Sequence, residues 1–176
     1  MKRTTLTAVT IALLISLCAS TALAATAATS GADTLRGTRS VDELRGLGGG
    51  DTLTALAGDD TLRGDGGRDL ISGGGGNDTI YGGPGDDAST HIFAGLSGGA
   101  GNDRVYGGGG NDYIIGDTGR DLLSGGDGDD YIASTSGESY DEPTSKDNIS
   151  CGPGFDTVSA DTADYVAPDC EDVTRF

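Results

Sequence analysis

Aspartate returns every nine residues along this chain. Asp33, Asp42, Asp51, Asp60, Asp69, Asp78 and Asp87 keep the interval; it resumes at Asp103, Asp112, Asp121 and Asp130, and again at Asp147 and Asp156. Two interruptions, near His91–Ser97 and near Ser134–Asp141, separate the three runs. The thirteen units read small-x-x-Gly-x-Asp-x-apolar-x, as in Gly73-Gly74-Gly75-Gly76-Asn77-Asp78-Thr79-Ile80-Tyr81. So short a unit cannot bury its own apolar side chain. Its neighbours must cover it, which restricts the fold to a stack of repeats.

The unit divides in two. The x-apolar-x end alternates as a short strand with one side chain inward. The Gly-rich first six residues form a turn that needs positive φ and close backbone approach. Two units close one flattened coil, and successive coils stack as parallel strands. The predicted fold is therefore all-β, a parallel β-roll (β-solenoid) with two facing columns of Leu, Ile and Val. Ser89 breaks the apolar column, and Ile92 or Phe93 is the expected replacement. Composition agrees with a thin core, for Gly fills 33 positions and Trp none.

Stacking also piles the aspartates on one another, and one aliphatic side chain per nine residues is little to offset their repulsion and the ordering of the backbone. A cation between the turns would relieve both. Ca2+ takes oxygen ligands in forgiving geometry, whereas Mg2+ demands a tighter octahedron. Transition metals favour His and Cys, which the central units lack. The net charge of −17 argues against nucleic acid as a partner.

The chain opens with Lys2 and Arg3, an apolar stretch from Leu6 to Cys18, and Ala22-Leu23-Ala24. That is the pattern of a secretory signal peptide over residues 1–24, too short for a membrane span. Repeats then occupy 25–159 and a C-terminal cap 160–176. In an exported chain Cys151 and Cys170 are expected to form a disulfide, with two unlinked thiols as the alternative.

The units resemble the RTX (repeat-in-toxin, haemolysin-type) nonapeptide, Gly-Gly-x-Gly-x-Asp-x-apolar-x, and the tail looks like the end of small secreted actinobacterial members. The resemblance implies a calcium-loaded β-roll in which the turn aspartates Asp51, Asp60, Asp69, Asp78, Asp87, Asp103, Asp112, Asp121 and Asp130 are metal ligands. It pairs Asp69 with Asp87, Asp103 with Asp121, and Asp112 with Asp130. It also implies backbone carbonyl ligands in the turns at Gly74, Gly76, Gly83, Gly85, Gly99, Gly101, Gly108, Gly110, Gly126 and Gly128. Asp33, Asp42, Asp147 and Asp156 stand in units that depart from the pattern, and are either ligands or turn formers.

No enzyme is expected. His91 is the only histidine, so His-Glu-x-x-His is missing, and it precedes the Gly-x-Ser-x-Gly match Gly95-Leu96-Ser97-Gly98-Gly99 instead of following it. The expected role is a secreted calcium-binding module whose partner is a cell-surface or extracellular polymer. Two alternatives are a surface-binding solenoid and a disordered acidic linker with incidental calcium binding. The first needs an outward row of Thr or Asn, but the residues before the aspartates read Asn77, Asp86, Asn102, Asn111, Arg120 and Asp129. The second leaves the regular apolar position without a cause.

Overall fold

The computed structural model describes residues 28–88, 95–134 and 145–176. The expected signal peptide over 1–24, the candidates Ile92 and Phe93, and His91 lie outside the described residues.

The strands alternate between two parallel sheets. One sheet holds β1 (Thr34–Arg36), β3 (Thr52–Ala57), β5 (Leu70–Gly75), β7 (Leu96–Ala100), β9 (Tyr113–Thr118), β11 (Tyr131–Ala133), β13 (Thr157–Ala160) and β15 (Asp172–Arg175). The other holds β2 (Glu43–Gly48), β4 (Thr61–Gly66), β6 (Thr79–Pro84), β8 (Arg104–Gly109), β10 (Leu122–Asp127), β12 (Asn148–Ser150) and β14 (Tyr165–Val166). Each strand pairs with the strand two further along, so Leu53 sits beside Ile71 and Leu62 beside Ile80. This is the predicted parallel β-roll. Among the described residues there is no helix, and so none long and apolar enough to cross a membrane.

The two inward columns are Leu35, Leu53, Ile71, Leu96, Ile114, Ile132 and Val158 on one sheet, and Leu44, Leu62, Ile80, Val105, Leu123 and Ile149 on the other. All are buried. The core residue that follows Asp87 is Leu96, which pairs with Ile71 and Ile114. The chain is in the roll again by Gly95, and Leu96 and Ser97 of the expected interruption 91–97 lie inside β7.

Most strands are six residues long, twice the expected x-apolar-x, because they run on into the first three residues of the next unit. Glycine shows no alternation that a sequence pattern could reveal, but its N–H and C=O still join the ladder. Outward positions carry stacked rings: Tyr81 on Tyr106 with centroids 5.2 Å apart, and Tyr113 on Tyr131 at 4.8 Å. The Arg63 guanidinium lies 4.2 Å from the Tyr81 ring centre.

The tail does more than end the roll. β14 pairs with β12 and β15 with β13, which adds one degenerate coil, and Cys151–Cys170 ties that coil to the one before it.

Candidate metal centre

The turn that links each strand to the next places its Asp at the entrance to the core, one above another. One column runs Asp33, Asp51, Asp69, Asp87, Asp112, Asp130 and Asp156; the other runs Asp42, Asp60, Asp78, Asp103, Asp121 and Asp147. From Asp42 onward every one of these is buried, the outer Asp42, Asp147 and Asp156 as deeply as the central ones. In both columns Oδ1 accepts the backbone N–H of the Asp one coil earlier, at 2.7–2.9 Å. The pairs Asp69–Asp87, Asp103–Asp121 and Asp112–Asp130 are therefore neighbours in a column, joined by such a bond. The ladder ends on two acids that the nine-residue count does not reach. Asp164 accepts from the N–H of Asp147, and Glu171 from that of Asp156, each at 3.0 Å. Their signal was the retained acid-x-apolar order of Asp164-Tyr165-Val166 and Glu171-Asp172-Val173 at a shortened interval.

The other carboxylate oxygen is the unusual one. At Asp51, Asp60, Asp69, Asp78, Asp87, Asp103, Asp112, Asp130 and Asp156, Oδ2 is buried and no donor among the described residues reaches it. Buried oxygens normally have a partner, and each one without costs about 1–3 kcal/mol. Burial consequently raises these acids. Asp87 is pushed up to about 8, Asp112 to about 7, and Asp78, Asp103 and Asp130 to about 6. The ladder N–H works against the rise, and neighbouring carboxylates add to it.

Backbone oxygens crowd the same turns. A Cβ on Gly64 would meet both Asp69 Oδ2 and the carbonyl of Gly82, and one on Gly107 would meet Asp112 Oδ2 and the carbonyl of Gly125. The first residue of each unit thus brings a carbonyl toward the carboxylate, a position missing from the carbonyls expected from the sequence. Those expected glycines all take positive φ. The fourth residue of a unit sends its N–H to the third carbonyl of the next coil, as from Gly76 to Ala100, Gly85 to Gly109 and Gly110 to Asp127. The carbonyls of Gly76, Gly85 and Gly110 stay outside that ladder.

Among the described residues no three carboxylate, imidazole or thiol groups come together. A cation in these turns would draw most of its ligands from backbone carbonyls, with a carboxylate from each coil. Hard oxygen donors of that kind suit Ca2+. Some of the glycines are a requirement of this arrangement and some are not: at Gly101, φ is +143° and a Cβ would overlap the Gly76 carbonyl oxygen, whereas a Cβ on Gly109 would meet nothing within 4 Å. Gly101→Ala should accordingly lose more than about 1 kcal/mol of stability, and Gly109→Ala should stay within about 0.5 kcal/mol of the parent. Thermal melts of the two calcium-loaded variants check this; equal losses would contradict it.

A second ladder runs outside the first. Asp59 Oδ1 accepts the N–H of Asn77, Asn77 Oδ1 that of Asn102, and Asn102 Oδ1 that of Arg120. On the opposite edge Asp86, Asn111 and Asp129 do the same, up to the N–H of Phe155. The row of mixed residues before the aspartates is thus a hydrogen-bonded series after all. It was illegible because Asn and Asp are interchangeable as acceptors. Ser97, in the nucleophile-like motif, lies on β7 and donates its hydroxyl to Asp117 Oδ2 at 2.7 Å.

A family model of the RTX calcium-binding nonapeptide repeat matches in four copies, over residues 28–62, 54–88, 96–123 and 106–139. Among curated proteins there is no match.

Proposed function

The chain belongs to the RTX calcium-binding nonapeptide-repeat family, and from that premise we propose that it is a secreted protein whose roll folds when calcium occupies the turns. The observation that carries the reading is the set of buried carboxylates, Asp51, Asp60, Asp69, Asp78, Asp87, Asp103, Asp112, Asp130 and Asp156, whose Oδ2 atoms no donor among the described residues reaches. Asp51, Asp60, Asp69, Asp78, Asp87, Asp103, Asp112, Asp121 and Asp130 would supply the side-chain ligands. Carbonyls of the positive-φ glycines, Gly74, Gly76, Gly83, Gly85, Gly99, Gly101, Gly108, Gly110, Gly126 and Gly128, would complete the shell, with that of the first residue of the unit. Bound Ca2+ supplies the positive charge that the stacked carboxylates lack.

The signal-peptide pattern of residues 1–24 and the Cys151–Cys170 disulfide support an extracellular setting. Extracellular calcium modules bind at roughly 10⁻⁴–10⁻³ M, so the chain would stay unfolded until export. The role we assign is structural or adhesive, with an extracellular polymer as partner, and not catalytic. Calorimetric titration of the full chain tests the ligand assignment. Relative to the parent, Asp112→Ala with Asp130→Ala should bind fewer ions and bind them more weakly. Unchanged stoichiometry and affinity would remove these residues from the ligand set.

A further inference from the structure

The first two turns are built unlike the central ones that follow. In the units that begin at Ala28 and Gly37, the residue four before the Asp is a threonine. Thr29 donates to Asp33 Oδ2 through its backbone N–H at 2.7 Å and its hydroxyl at 2.8 Å. Thr38 does the same to Asp42 Oδ2, at 2.6 and 3.0 Å. Each hydroxyl in turn accepts the N–H two residues on, from Gly31 at 3.2 Å and from Ser40 at 3.1 Å. The carboxylate oxygen that lacks a donor at Asp51 or Asp78 therefore holds two here.

The backbone differs as well. Further along, the residue four before the Asp is left-handed whether or not it is glycine, with φ +79° at Leu47, +69° at Asp65 and +105° at Gly74. The residue two before the Asp is also left-handed, at Gly49, Gly67 and Gly76. Thr29, Gly31, Thr38 and Ser40 are not among the residues of positive φ. Non-glycine residues accept that conformation at a cost, so its retention at Leu47 and Asp65 marks it as a property of the turn. The first two turns do without it.

We infer that the hydroxyls of Thr29 and Thr38 stand where calcium stands in the later turns, so that the first coil is a metal-independent cap and Asp33 and Asp42 are not calcium ligands. To bind a cation, either carboxylate would first have to surrender two charge-assisted hydrogen bonds. Stacked repeats need atypical end units, and a turn closed by its own side chain needs no second coil beneath it. The inference rests on the calcium reading above.

Counting calcium bound to the full chain by equilibrium dialysis tests it. Asp42→Asn should keep the number of ions bound by the parent, while Asp78→Asn binds fewer. Loss of an ion from Asp42→Asn as well overturns the inference and leaves the calcium reading standing. A parent that binds no calcium, or an Asp78→Asn chain that keeps the full number, overturns both. In the calcium-loaded Thr38→Val chain, hydrogen exchange at the Ser40 amide should quicken by at least about tenfold, that N–H having lost its acceptor. An unchanged rate there overturns the role given to the hydroxyl.

Discussion

Stripping calcium from the full chain near neutral pH should abolish its β-sheet circular-dichroism signal in one cooperative step, and added calcium, but not magnesium, should restore it. The reason is a comparison of magnitudes. Nine buried carboxylate oxygens without a donor among the described residues, at about 1–3 kcal/mol each and more when charged, cost as much as the roughly 5–15 kcal/mol by which a domain is ordinarily stable. The aliphatic columns cannot make up the difference, since each coil adds only two such side chains. Folding free energy would then be largely metal-binding free energy. A β signal that persists in chelator would show that the scaffold holds without the ion, and a magnesium response equal to that of calcium would refute the selectivity.

Acid should do part of what calcium does. Burial raises five of the column acids well above the ordinary 3.8, to about 8 at Asp87, about 7 at Asp112 and about 6 at Asp78, Asp103 and Asp130. A raised acid makes the folded state hold more protons than the unfolded one, so stability grows as pH falls. The gain begins near pH 8, passes through 7 and 6, and is complete below the unfolded value near 3.8. Metal-stripped protein should therefore show more β structure near pH 4.5 than at pH 8, as read by circular dichroism. For the same reason calcium must displace protons, and its apparent affinity should weaken steadily from pH 8 to pH 5.5. A metal-stripped chain equally unfolded at both ends of the range, or a calcium midpoint indifferent to pH, would contradict the raised values.

The spacing of Asp and the apolar residue two after it was enough to place the two sheets, the parallel pairing and twelve of the thirteen core positions, because period and side-chain direction are linked by the geometry of a strand. What the spacing could not show was carried by the backbone or by equivalent acceptors. Strands continue into Gly-rich segments that have no side chains to alternate. Leu96, nine residues after Asp87 and not two, is the residue that pairs with Ile71 in the core, which a fixed interval cannot reveal. Asp164 and Glu171 extend the columns at intervals of eight and seven, outside a nine-residue search. At Thr29 and Thr38 the pattern breaks for a reason that emerges only when each hydroxyl is seen against its carboxylate.

The inner ladder links residues 18 apart for most of its length, 25 apart across the first interruption and 26 across the second, with bonds of the same length throughout. The architecture therefore counts in pairs of units. Removing one nonapeptide would send every later strand to the opposite sheet, whereas removing two would shorten the roll and leave each surviving residue in the same surroundings. Extra residues placed at a corner cost the scaffold nothing in register. A protein of this kind can be lengthened, trimmed or given a new loop without redesign of its interior, provided that repeats are added or removed in pairs.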